Sequence, residues 1–123
     1  MLLEGNLTGV QHLGGFTADL DAAQVWYIDK FGFELTAAPS FQMGGDRFAL
    51  AFLQRDDLVL ELVLPPSSAR DEVRSRKHGH IDHLAIDVID LESALAAVTS
   101  AGAELDDSTP DGPVTFPLWA KGV

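Results

Sequence analysis

The spacing of apolar residues changes period several times along the chain, and each change marks an element. In "LVLELVL", residues 58–64, alternation sets Leu58, Leu60, Leu62 and Leu64 on one face and Val59, Glu61 and Val63 on the other. Both faces are apolar, the pattern of a strand covered on both sides. "RFALAFLQR" before it predicts a second strand, and the intervening "RDD" predicts a tight hairpin. "FELTAAPSF" predicts one more. The run "LESALAAVTSAG" has helical period instead, with Leu91, Leu95 and Val98 on one face, Asp90 as N-cap and Gly102 as the stop. "DAAQVWYIDKFG" predicts a helix carrying apolar Val25, Trp26 and Ile28 and stopping at Gly32.

These elements fall into a repeat. Residues 10–35, "VQHLGGFTADLDAAQVWYIDKFGFEL", align with 81–105, "IDHLAIDVIDLESALAAVTSAGAEL", pairing His12 with His83, Leu13 with Leu84, Asp19 with Asp90, Leu20 with Leu91 and Ala23 with Ala94. After one gap, Gly32 to Leu35 fall on Gly102 to Leu105. Each copy opens with an apolar strand followed by a capped helix, and the first copy reads β-α-β-β-β. The predicted fold is α+β, built of two tandem βαβββ modules in a single domain over 1–123. The first module covers about 6–65, a linker with a Pro and Ser start and a basic cluster covers about 66–79, and a second module covers about 80–123. In the second copy "GAEL" leads into an irregular "DDSTPDGPVTF". Glu61 follows His12 by 49 residues, so its counterpart after His83 falls near residue ~132. The second module is therefore read as incomplete.

Composition narrows the chemistry. Nineteen acidic against eight basic side chains give a formal net charge of -11, which argues against nucleic acid and anionic lipid as partners. No apolar stretch reaches the ~20 residues of a membrane helix, and "MLLEGNL" lacks the basic start and apolar region of a signal peptide; the chain reads as cytoplasmic. With no cysteine, strong metal ligands are restricted to His, Asp and Glu.

Glu61 poses a question. A carboxylate in a strand covered on both faces needs a partner, because burying it alone costs several kcal/mol or a proton. A buried arginine or a hydroxyl would serve, and so would a metal ion. His12 lies in the opening strand of the same module, with Val10, Gly14 and Phe16 on its face. A single histidine there is compatible with a hydrogen-bonded core residue. His83 repeats it, seven residues before the capping Asp in both copies. Modules related by pseudo-symmetry bring their first strands together, and two imidazoles with one carboxylate suit a divalent cation such as Zn, Ni, Fe or Mn.

With its paired modules, "QHLGGFTADLDAAQVWYIDKFGFEL" and "GHIDHLAIDVIDLESALAAVTSAGAEL", the chain resembles the vicinal oxygen chelate superfamily, which includes lactoylglutathione lyase, methylmalonyl-CoA epimerase, extradiol dioxygenases and the bleomycin and fosfomycin resistance proteins. The resemblance covers essentially the whole sequence. It implies a curved mixed sheet forming a cup, with His12 and Glu61 as metal ligands from the first module and His83 from the second. A fourth ligand, often a Glu of the second module's closing strand, has no counterpart in the sequence. A longer chain, a second subunit or an incomplete site are the alternatives, since family members often dimerise with modules exchanged. The activity implied is a metal-dependent lyase, isomerase or dioxygenase of the glyoxalase type. It would chelate vicinal oxygens of a small-molecule substrate, with Glu61 as the candidate general base. The other reading is a metal-free small-molecule binding protein of the bleomycin-resistance type.

Other features are assigned elsewhere. Arg70, Arg74, Arg76 and Lys77 read as a solvated linker, with a clamp for an anionic substrate as the alternative. His78 and His80 are left outside the site. Trp26, Phe48, Phe52 and Trp119 are core candidates that could line a pocket.

Overall fold

Local sequence accounts for most of the element boundaries. In the computed structural model, which describes residues 2–105 and 114–115, the elements are β1 (Leu7–Phe16), α1 (Leu20–Phe31), β2 (Glu34–Ala37), β3 (Ser40–Met43), β4 (Asp46–Arg55), β5 (Leu58–Leu64), α2 (Ser67–Ser75), β6 (Ile81–Val88), α3 (Leu91–Ser100), β7 (Glu104–Leu105) and β8 (Val114–Thr115). This is a mixed α+β fold. Asp19 caps α1 by accepting from the Ala22 N–H, and Gly32 ends it at φ 68, where a side chain would be strained. The predicted hairpin is present, with Arg55 paired to Leu58 around Asp56 and Asp57. Asp56 takes φ 53, a conformation that Asp tolerates better than most residues.

The chain divides into two compact units, Val10–Ala85 and a second made of Met1–Gly9 with Ile86–Val123. In the first, the strand order is β2-β4-β5-β1-β6, with β3 also pairing to β4. β1 is parallel to β5, and β4 is antiparallel to it. The register sorts the side chains. Ala51 pairs with Leu62 and Leu53 with Leu60, and with Phe33 three of these form the core, against which Leu20, Ala23 and Tyr27 of α1 pack. Phe52 pairs with Glu61 and Leu50 with Val63, which puts them on the opposite face. Across β5, Gly14 pairs with Glu61 and Phe16 with Val63. His12, Gly14, Phe52 and Glu61 thus share the face away from α1.

Three expectations change in detail. "FELTAAPSF" forms two short strands, β2 and β3, because the path breaks between Ala37 and Ser40; each pairs with the long β4. The stretch between the modules contains helix α2, whose Val73 is buried at 2% exposure. Val25, Trp26 and Ile28 of α1 are exposed, and that helix packs through Leu20, Ala23 and Tyr27 instead.

In the second unit, Asp90 caps α3 by accepting from the Ser93 N–H. The Asn6 side chain accepts from the Asp90 N–H and donates to the Asp90 carbonyl. The buried face of α3 is Ala94 and Val98, with Ala103 close behind in sequence, while Leu91 is 63% exposed. The end of the run called irregular forms β8, paired to β7; residues 106–113 lie outside the described residues. No helix among the described residues is long and apolar enough to cross a membrane.

Candidate metal centre

The register that sets Gly14 opposite Glu61 brings three candidate ligands onto one patch of the Val10–Ala85 unit. His12 precedes Gly14 by two residues on β1, Glu61 stands at the centre of β5, and His83 comes from β6, the next strand beyond β1. His12 Nε2 lies 2.9 Å from Glu61 Oε2 and 2.8 Å from His83 Nε2, and His83 Nε2 lies 3.7 Å from Glu61 Oε2. The three residues offer ligand atoms within 4.8 Å of one another. All three residues singled out in the sequence as ligands are therefore brought together. Glu61 is buried at 9% exposure.

The hydrogen bonds on the outer side of each ring decide what faces inward. His83 Nδ1 is 2.7 Å from Asp82 Oδ2, and His12 Nδ1 contacts Gln11 Oε1. Both oxygens accept, so each Nδ1 carries a proton and donates it. In a neutral imidazole the other nitrogen then presents a lone pair. Two Nε2 lone pairs and a carboxylate oxygen thus converge, an arrangement that repels unless a cation sits among them. A proton satisfies it in part, since the Asp82 carboxylate first and Glu61 second push the His83 pKa up to about 9 against the lowering effect of burial. A divalent metal satisfies all three donors at once. The two-imidazole, one-carboxylate set with Nδ1 anchored by oxygen fits such an ion.

The surroundings hold the donors in place. The Phe52 ring meets His12 edge-on at 5.6 Å and 86°. Gly14 is buried, and a Cβ built on it would stand 2.2 Å from Cε1 of the His83 ring.

Gln11, Asp82, Gly14 and Phe52 were not read as parts of the site from sequence. Strand alternation assigns residues 11 and 82 to the face opposite their histidines, which hides them. The available signal was that each histidine follows an oxygen-bearing side chain. His80 lies outside the ligand set, 3.2 Å from the Arg76 carbonyl through Nε2. The basic cluster is engaged locally: Arg74 with Asp71, Arg76 with both oxygens of Glu72, and Arg70 with the Pro65 carbonyl. Phe48 stacks on Phe41, and Trp26 packs edge-on against Tyr27 and Phe31. Trp119 lies outside the described residues.

Residues 9–116 match the family model of the Glyoxalase/Bleomycin resistance protein/Dioxygenase superfamily. The chain belongs to that superfamily. Among solved structures, the methylmalonyl-CoA epimerase of Mycobacterium tuberculosis is similar at 28% identity and a TM-score of 0.65, over 84% of this chain and 70% of that one. A hypothetical protein of Bacillus halodurans C-125 aligns at 20% identity and a TM-score of 0.68, over 93% of this chain and 88% of its own. A variant of the Streptomyces coelicolor methylmalonyl-CoA epimerase in complex with 2-nitronate-propionyl-CoA aligns at 24% identity and a TM-score of 0.62, over 80% and 75%. The last two likenesses speak for the fold. The comparison with curated proteins returns no match. Within the glyoxalase superfamily, then, this chain has its two histidines and glutamate on one patch of one sheet.

Proposed function

We propose that this glyoxalase-superfamily chain is a metal-dependent isomerase or lyase, in which His12, Glu61 and His83 hold one divalent cation and the substrate is a small molecule bearing a carbonyl next to an acidic C–H. The observation that carries the reading is the convergence of the two Nε2 atoms and Glu61 Oε2, with both Nδ1 atoms tied to oxygen. Similarity to a methylmalonyl-CoA epimerase at 28% identity favours acyl thioesters as the first substrates to test. A hemithioacetal of glutathione, as a lactoylglutathione lyase would take, comes second.

Bound there, a divalent ion supplies Lewis acidity that polarises a carbonyl oxygen. The residues of the chain do the rest. Gln11 and Asp82 fix the ring orientation of His12 and His83 and keep each Nε2 pointed inward. Phe52 packs edge-on against the His12 ring and limits its rotation. Glu61 is the candidate base that accepts the proton from the carbon beside the carbonyl; in an isomerisation it returns that proton to the neighbouring carbon, and in an epimerisation the opposite face takes its proton from a second donor such as water.

The test has two stages. Metal content is measured by plasma mass spectrometry on tag-free protein dialysed after exposure to Ni, Zn, Mn and Fe. The loaded protein is then incubated in deuterium oxide with methylmalonyl-CoA, with the methylglyoxal–glutathione hemithioacetal or with a catechol, and solvent deuterium at the reacting carbon, or ring opening of the catechol, is scored. About one ion per chain and metal-dependent exchange support the reading. A folded protein that binds no metal yet takes up a small molecule would place it with the metal-free binding members.

A further inference from the structure

Gly14 is the one position in the patch that contributes by lacking a side chain. It lies on β1 between its register partner Glu61 on β5 and the His83 ring arriving from β6. A Cβ there would meet His83 Cε1 at 2.2 Å and both ring nitrogens at 2.5 Å, distances that force the ring to move. The backbone at Gly14 is not in the positive-φ region, unlike Gly32 or Gly79. Alanine is therefore tolerated by the main chain at this position, and only the ring objects. The repeat makes the contrast sharper: two residues after His83, where Gly14 follows His12, the sequence has Ala85.

We propose that Gly14 is a positioning residue, a side-chain-free floor that seats the His83 imidazole against His12 and Glu61 and so admits it as the third ligand. The inference rests on the metal-site reading above. With a methyl group at 14, the His83 ring is displaced and the site is reduced to His12 and Glu61.

The test is a cycle of Gly14→Ala, His83→Ala and the double variant, with Gly9→Ala as control because a methyl there meets nothing within 4 Å. Zinc affinity is measured by calorimetry, and the thermal midpoint of the metal-free proteins is recorded alongside. Gly14→Ala is expected to lower zinc affinity by about 100-fold, as removal of a ligand's support does at the upper end, to match His83→Ala, and to add nothing in the double variant. In the metal-free proteins, Gly14→Ala is expected to lower the midpoint in the parent and to leave it unchanged in the His83→Ala background, where the ring is gone. Unaltered zinc affinity in Gly14→Ala, or losses that add in the double variant, overturns the proposal. If the parent binds no zinc, the metal-site reading fails separately, and the metal-free cycle decides the role of Gly14: equal loss of stability in both backgrounds overturns it.

Discussion

Replacing Glu61 by Gln separates the carboxylate's charge from its shape. The side chain is buried at 9% exposure, with Oε2 at 2.9 Å from His12 Nε2 and 3.7 Å from His83 Nε2. An amide of the same size keeps the packing on the face of Phe52 and can donate N–H to an Nε2 lone pair. The metal-free variant should therefore stay within ~1 kcal/mol of the parent in urea unfolding, the net worth of one such hydrogen bond. Metal binding should respond far more, since an anionic ligand becomes a weakly coordinating neutral one. A loss of at least ~100-fold in affinity, ~2.7 kcal/mol, is expected by calorimetry. A third readout is His83 itself. Asp82 is the larger cause of its pKa of about 9 and Glu61 the next, so the NMR titration midpoint of the variant should fall but stay above the ordinary ~6.5. A Glu61→Gln protein that is more stable and retains full metal affinity would refute the ligand assignment. It would mark Glu61 as a buried charge tolerated for another reason.

The remaining expectations test the outer contacts, the proton and the core. Asp82→Asn should weaken metal binding by ~10 to 100-fold, because Asp82 orients His83 through Nδ1, as read by competition with a chromogenic chelator. In the metal-free protein the His83 pKa lies at about 9, above the unfolded value, so the stabilisation is complete below pH ~6.5 and is lost as pH rises to ~9. With a side chain 36% exposed, the loss should not exceed ~1 kcal/mol in urea midpoints and should be flattened in His83→Gln. Metal loading at pH 7 should release about one proton, measured by calorimetry in buffers of different ionisation enthalpy. Leu53→Ala should cost ~2 to 5 kcal/mol, since Leu53 is fully buried in the cluster under α1, and unfolding at an unchanged midpoint would contradict that placement.

What could be read from the residues is what depends on spacing alone. Alternation located β4 and β5, capping aspartates and terminal glycines located α1 and α3, and the repeat of His12 at His83 singled out two candidate ligands before any contact was known. Glu61 was legible because a charge in a two-faced apolar strand demands a partner. Short-range pattern failed where tertiary contact overrides it. "FELTAAPSF" became two strands because β4 is long enough to pair with both. The apolar residues of α1 did not identify its buried side, since Leu20, Ala23 and Tyr27 face the sheet while Trp26 does not.

The same division runs through the site. The sequence by itself determined the candidate ligand types, because without cysteine the strong donors are imidazole and carboxylate, and the repeat singled out the two histidines while the apolar strand around it singled out Glu61. Only the tertiary structure decided their geometry. The parallel register that sets Gly14 opposite Glu61, the placing of β6 beside β1, and the turn of Gln11 and Asp82 toward the histidines next to them are products of strand pairing between segments far apart in the chain. A one-residue slip of that pairing would send the ligands to opposite faces, and nothing in the local order of residues fixes it.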